Sequence, residues 1–166
     1  MADAAAEFWR FSLAIYAKPG VAPACLVLQD QHGRDVNLML YCCWLGTSGR
    51  GRIDSDSLAA ADRAVSAWRR DVVEKFRIAR RAIKAAAFPE SESIYAKAKA
   101  VELEAERLLQ RELAARAPAA NSARSAAERL GDALANLALY VGDAPTAPVV
   151  DALKAMAAAD FRIAAD

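Results

Sequence analysis

The sequence predicts an all-α fold, a single-domain bundle of six or seven helices built around one short buried helix. Three observations carry this. The chain has 166 residues, enough for one domain with a sizeable core. Apolar residues recur at spacings of three and four along most of it, and no stretch sustains a period of two between turn residues. One segment, VNLMLYCCWL at 36–45, is apolar around its whole circumference. A helix that short cannot span a bilayer, so such a surface implies enclosure by protein.

Each element has its own signals. EFWRFSLAIYA, residues 7–17, reads as a short helix with Phe8, Phe11, Leu13 and Ile15 as its apolar residues, ended by Lys18-Pro19-Gly20. A second helix begins near Pro23, runs through Cys25, Leu26 and Leu28, and closes at Gly33. Asp35 caps the central helix 36–45, which Gly46 is expected to end. TSGRGR, 47–52, reads as a flexible linker. A long helix follows from 57 to about 87, with Val65, Trp68, Val72, Phe76, Ala79 and Ile83 as the clearest apolar stripe in the chain. Phe88-Pro89 breaks it. Ser91 or Ser93 caps the next helix, which ends near Arg116 and carries Ile94, Ala98, Val101, Ala105, Leu108 and Leu109. After Pro118, a helix from Asn121 or Ser122 to about Val141 presents Leu130, Leu134, Leu137 and Tyr140. A final helix spans about 149–159. Residues 7–116 form the better-specified core, and the alanine-rich segment 117–166 is the weaker part. No internal repeat is present.

Charge excludes broad classes of partner. Lys and Arg total 22 against 21 Asp and Glu, so no global field draws the chain to nucleic acid, membrane or acidic substrates. MADAAAEFWRF lacks the basic-then-apolar pattern of a signal peptide, and no apolar run approaches the ~20 residues that span a bilayer. The three cysteines show no framework spacing, and Cys42 and Cys43 diverge on a helix. These features point to the cytoplasm.

Two regions carry candidate chemistry. The first is the junction before and within the central helix: Asp30, His32, Asp35, Asn37 and Tyr41. Asn37, Tyr41 and Trp44 fall roughly on one side, and each has a polar group that needs a partner when buried. The functional reading is a pocket at Asn37 and Tyr41 rimmed by the other three. The plain alternative is a hydrogen-bonded junction in which Asp35 caps the helix and Asn37 bonds to a neighbouring turn. One imidazole and two carboxylates can ligate a metal, but no second histidine, CxxC or HExxH completes a pattern, so no metal site is assigned. Cys42 and Cys43 in apolar company read as inert thiols. GTSGRGR lacks the preceding strand and the Lys-Ser/Thr pair of a phosphate loop.

The second region is the basic segment WRRDVVEKFRIARRAIK, 68–84. At ~100° per residue, Arg70, Arg77, Arg81 and Lys84 line up opposite the apolar stripe and could hold phosphate, nucleic acid or an acidic partner. Glu102, Glu104, Glu106 and Glu112 on the next, antiparallel helix can neutralise part of that charge within the chain. No aromatic residues interleave with the basic face, which argues against single-strand binding.

The pattern Phe8-Trp9, Tyr16, Val21, Cys25, Leu28, Gln29-Asp30, Gly33, Asp35-Val36-Asn37-Leu38, Trp44, Gly46, Trp68-Arg69 and Arg80-Arg81 resembles a proteobacterial family of small conserved hypothetical proteins, known mainly as a domain of unknown function. The resemblance spans roughly residues 7–115 and implies a variable C-terminal part. It implies no reaction, cofactor or catalytic residue. It also implies a proline in many relatives where this chain has Lys75, a departure that leaves a bend near Asp71 open.

With no assembled catalytic set and no cofactor motif, the leading expectation is a non-enzymatic helical module that binds a protein partner or itself through a helix face. The second is a small-molecule or metal-assisted site at the 30–41 junction, and the third is anion or nucleic-acid binding through the 69–84 helix. A pocket at Asn37 with unpartnered polar groups favours the second. A filled core there, with an exposed apolar patch elsewhere, favours the first.

Overall fold

The segment expected at the centre is helix α3, Val36–Thr47, in a computed structural model that describes residues 3–86 and 88–159. Every residue of α3 from Asn37 to Thr47 is buried. The described residues are all-α with no strand: α1 Ala4–Tyr16, α2 Val21–His32, α3, α4 Ser55–Trp68, a π-helical segment Arg69–Val73, α5 Glu74–Ala86, α6 Glu92–Ala114, α7 Ala126–Val141 and α8 Ala147–Ala158. The α4–π–α5 stretch is one rod with a defect, so the bundle has seven helices among the described residues. None of them singly is long and apolar enough to cross a membrane.

Side-chain caps set the helix starts. Asp3 accepts from the Ala5 N–H at 3.0 Å, Asp35 from Leu38 at 2.9 Å and Asp54 from Ser57 at 2.7 Å. Gly33, at φ 60°, supplies the left-handed residue that closes α2. Helix α7 starts at Ala126 rather than at Asn121 or Ser122, because Ser125 and Glu128 form a reciprocal capping box there.

Around α3 the aromatic core is Phe8, Tyr41 and Trp44. Phe8 stacks on Trp44 with centroids 4.9 Å apart and tilts against Tyr41 at 5.8 Å. Glu7 accepts from Trp44 Nε1 at 3.2 Å and from Arg50 at 3.0 Å, while the Arg50 guanidinium lies 4.5 Å from the Trp44 ring centroid.

Gly46 does not end α3. The helix continues through it to Thr47, and α7 crosses directly against it. A Cβ on Gly46 would stand 2.7 Å from the Asp132 carbonyl carbon and closer still to the Ala133 backbone. Glycine here permits backbone contact between two helices. Helix α7, from the alanine-rich part of the sequence, is therefore the most extensive partner of the central helix. Asn136 strengthens that contact. Its Oδ1 accepts from the Ile53 N–H at 2.9 Å, and its Nδ2 donates to Cys42 O at 3.2 Å and Gly51 O at 3.0 Å, pinning the glycine-rich loop.

The long amphipathic helix departs from a straight 3.6-residue repeat. Glu74 N–H bonds to Arg69 O, an i→i+5 closure that inserts one residue. The inward face turns by roughly 100° across the defect. Val65 is buried as expected, but Trp68 is 40% exposed, its indole N–H donating to Ala105 O at 3.0 Å. Val73 is fully buried, and Arg77 and Arg80 follow it inward. Helix α5 buries no residue completely and packs chiefly on α6.

Candidate functional site

Helices α1, α2, α3, α5 and α6 enclose a cleft of about 400 Å³. Its position follows from the register of α5 and α6. On α6 the expected stripe residues Ile94 and Val101 face outward, 53% and 46% exposed, while Tyr95, Lys99, Glu102, Glu106 and Gln110 line the cleft. Steps of three and four place these residues on one helix face. Beyond the π segment, α5 brings Arg77, Arg80 and Arg81 to the opposite wall. Helix α1 contributes Trp9, Ser12, Leu13 and Tyr16, and α2 contributes Leu26 and Gln29.

The floor is polar. Ser12 Oγ donates to Gln110 Oε1 at 3.0 Å, and Gln110 Nε2 donates to Asn37 Oδ1 at 2.8 Å. All three residues are at least nine-tenths buried. The Nδ2 of Asn37 donates to no protein group among the described residues and is reached by solvent at the cleft, although the residue as a whole is only 4% exposed.

The walls are charged. Arg77 reaches Glu106 at 2.9 Å and Glu102 at 3.4 Å, and Arg80 holds both oxygens of Glu102 in a fork. Burial pushes the Glu106 carboxyl above its ordinary range, and the Arg77 guanidinium opposes that shift. Arg81 pairs with Asp30 at 3.2 Å. Lys99 has no ion-pair partner among the described residues. The mouth is apolar: Leu13, Tyr16, Leu26 and Leu103 are 40–50% exposed.

The model for a family described as "Protein of unknown function (DUF2390)" matches residues 7–113. The chain belongs to this family. No curated protein and no solved structure matches it. Every residue lining the cleft lies between Trp9 and Gln110, inside the DUF2390 match, whereas α7 and α8 lie beyond it.

In this DUF2390 chain the five junction residues do not form one site. Asn37 opens on the cleft, and Asp30 joins its rim through Arg81. Asp35 is the α3 cap, with Arg69 at 3.8 Å from its second oxygen. Burial, the largest influence, raises its carboxyl above the ordinary value, opposed by the Leu38 N–H and by Arg69. His32 is exposed at the end of α2, away from the cleft. Tyr41 faces a separate hollow of about 260 Å³ with Arg50, Arg52 and Arg116, and burial pushes its hydroxyl up to about 12. Asn37 and Tyr41 thus look into different cavities. Asn37 also bonds across to α6 rather than to a neighbouring turn. Among the described residues, no group of three His, Cys, Asp or Glu side chains converges as a metal would need.

The basic segment does not present one face either. Arg70 points outward and pairs with Asp71, whereas Arg77 is 14% exposed between two glutamates. Arg81 sits at the cleft and Lys84 on the exposed surface. The inserted residue at 69–73 rotates Arg77 away from Arg70, which a constant 100° step cannot capture. The acidic partner helix does neutralise the basic one, through Glu102 and Glu106. Glu104 and Glu112 pair within α6 and at its end, with Arg107 and Arg116.

All three cysteines are free and buried. Burial raises Cys25 and Cys42 to about 12 and Cys43 well above its ordinary value, so these thiols are poor nucleophiles. Ser12, Gln110, Tyr95 and Lys99 were not among the residues singled out from the sequence. The signal for the last three is the polar row at three-to-four spacing along 95–110 of α6; Ser12, on α1, has no such signal.

Proposed function

We propose that this protein is a small-molecule-binding module and that its site is the cleft between α1, α2, α3, α5 and α6. The observation that carries this reading is Asn37. A carboxamide that is nine-tenths buried, held by Gln110 through its oxygen and left with a free N–H pair toward an open cavity, is a preorganised donor for a ligand. The apolar mouth and polar floor suit an amphipathic molecule, its apolar body against Leu13, Tyr16, Leu26 and Leu103. No step of chemistry is assigned to the site: each of its carboxylates is paired with an arginine, and its reach is binding.

Calorimetric titration with decanol, a neutral amphipathic probe, tests this. Saturable binding at one site is expected, weakened at least about tenfold when Leu26→Gln and Leu103→Gln are combined, since these remove apolar area at the mouth. Both positions are exposed, so the fold tolerates the change. Equal binding by the double variant overturns the reading.

A second reading, a protein-interaction module, draws support from the turn between α5 and α6. There Phe88 and Ile94 are 73% and 53% exposed, and Ile78, farther back on α5, is 61% exposed. Analytical ultracentrifugation of the wild type and of Phe88→Ser tests self-association there: a dimer lost in the variant favours it, and a monomer at all concentrations removes that form of it.

A further inference from the structure

We infer that the ligand of the cleft is a monoanion, a single carboxylate on an apolar body, with Lys99 as the residue that takes its charge. The inference rests on the cleft being a ligand site and adds the ligand's chemical class. It comes from the pairing of the charges around the cavity. Arg80 is committed to Glu102, Arg77 to Glu106 and Arg81 to Asp30. Each pair is closed by direct contact, so the three carboxylates answer three of the four cations. Lys99 remains, exposed at the wall of the cleft and in no ion pair among the described residues.

A cationic ligand would have to break a pair that is already largely desolvated. Glu102 and Glu106 have side chains only 8% and 23% exposed and are held by two arginines. Separating such a pair leaves an uncompensated charge in a poorly solvated place, which is strongly unfavourable. A neutral ligand leaves Lys99 as it is. A monoanion gains a charge-assisted hydrogen bond from Lys99 without breaking any existing pair. The exposed Arg81–Asp30 pair, made through one guanidinium nitrogen, leaves Arg81 with further donors that can share the same carboxylate. A dianion would exceed the surplus by one charge.

The position of Lys99 also orders the ligand. Lys99 and Gln110 are eleven residues apart on α6, about 16 Å along its axis. The carboxylate therefore sits at one end of the cleft and the hydrogen-bonding floor of Ser12, Gln110 and Asn37 at the other. The apolar body lies between them along Leu103 and the residues of α1.

Three probes with one decyl chain and different heads test this: decanoate, decanol and decyltrimethylammonium, each titrated calorimetrically below its micelle-forming concentration. Decanoate is expected to bind about tenfold more tightly than decanol, the size of one charge-assisted hydrogen bond. The ammonium compound is expected to bind most weakly. In Lys99→Met the decanoate preference disappears while decanol affinity stays unchanged. Lys97→Met, exposed like Lys99 but not part of the cleft lining, leaves all three affinities as in the wild type. Equal affinity for decanoate and decanol, tighter binding of the ammonium compound, or a decanoate preference that survives Lys99→Met overturns the anionic assignment while the cleft still binds. No saturable binding by any of the three overturns the cleft reading itself.

Discussion

The hydroxyl of Tyr140, near the end of α7, accepts a hydrogen bond of 2.7 Å from the backbone N–H of Asp35, the residue that caps α3. One side chain thus ties the start of the buried central helix to its main packing partner, 105 residues away. Tyr140→Phe leaves that N–H without its partner. Chemical denaturation is expected to show a loss of about 1–2 kcal/mol. A loss within error would show that water replaces the phenol and that the junction is open.

Asp35 itself gives a pH-dependent prediction. Its carboxyl is raised in the folded protein chiefly by burial. A folded pKa above the unfolded one means that the charged form opposes folding. That penalty is absent at pH below the unfolded value and complete once pH passes the folded value. Asparagine caps as well as aspartate and carries no charge. The stability of Asp35→Asn relative to wild type is therefore expected to rise with pH through the acid range. Urea melts across that range check it. A relative stability that falls with pH would mean that Arg69 outweighs burial. Asp35→Ala, which also loses the cap, is expected to cost ~0.5–2 kcal/mol relative to Asp35→Asn.

Gly46 and Gly131 make a matched pair. Gly46→Ala puts a methyl group into the α7 backbone and is expected to destabilise by about 3 kcal/mol, the upper range for overpacking. At Gly131, on α7, an added Cβ meets nothing within 4 Å. Gly131→Ala is expected to stabilise by about 0.5–1 kcal/mol through helix propensity. Thermal melts of the two variants separate close helix contact from mere helix preference. Similar shifts in both would refute the contact.

Glu102 is the buried acid of the charged wall. Glu102→Ala strips Arg77 of one partner and Arg80 of its only carboxylate among the described residues, and is expected to cost about 3 kcal/mol. Glu104, 62% exposed beside Arg107, is the control, with a change within about 0.5 kcal/mol. Equal effects at the two positions would mean that the wall is fully solvated.

The all-α architecture was legible because burial and period-3.6 patterning act together on single helices. The uniformly apolar 36–45 segment could only be central, and it is. Asp35 was legible as a cap because an acidic residue directly before an apolar run has few other local roles. Contacts between helices were not legible. Gly46 read as a terminator, because nothing in its local sequence reveals α7 crossing at backbone distance. The alanines of α7 read as weak specification, yet small side chains are what let it approach α3. The π segment at 69–73 left the apolar stripe intact on paper while rotating Arg77 and Arg80 inward. The site shared that fate. In the sequence Asn37 and Asp30 belong to one hypothesis and Arg77 and Arg81 to another, and tertiary packing joins them around one cleft. Tyr41, one turn from Asn37, goes elsewhere because Phe8 and Trp44 claim it.

The central claim is that the cleft over Asn37 is where this protein meets its ligand. Titration of the ¹⁵N-labelled protein with decanoate, followed by two-dimensional amide spectra, tests it most directly. The side-chain NH₂ signals of Asn37 and Gln110 are expected to move, together with the backbone amides of Ser12, Leu26 and Leu103, to a saturable end point. Signals from Arg50, Arg52 and Ser57, around the Tyr41 hollow, are expected to stay in place. Shifts centred on that hollow or on the exposed turn between α5 and α6, with Asn37 unmoved, would contradict the claim.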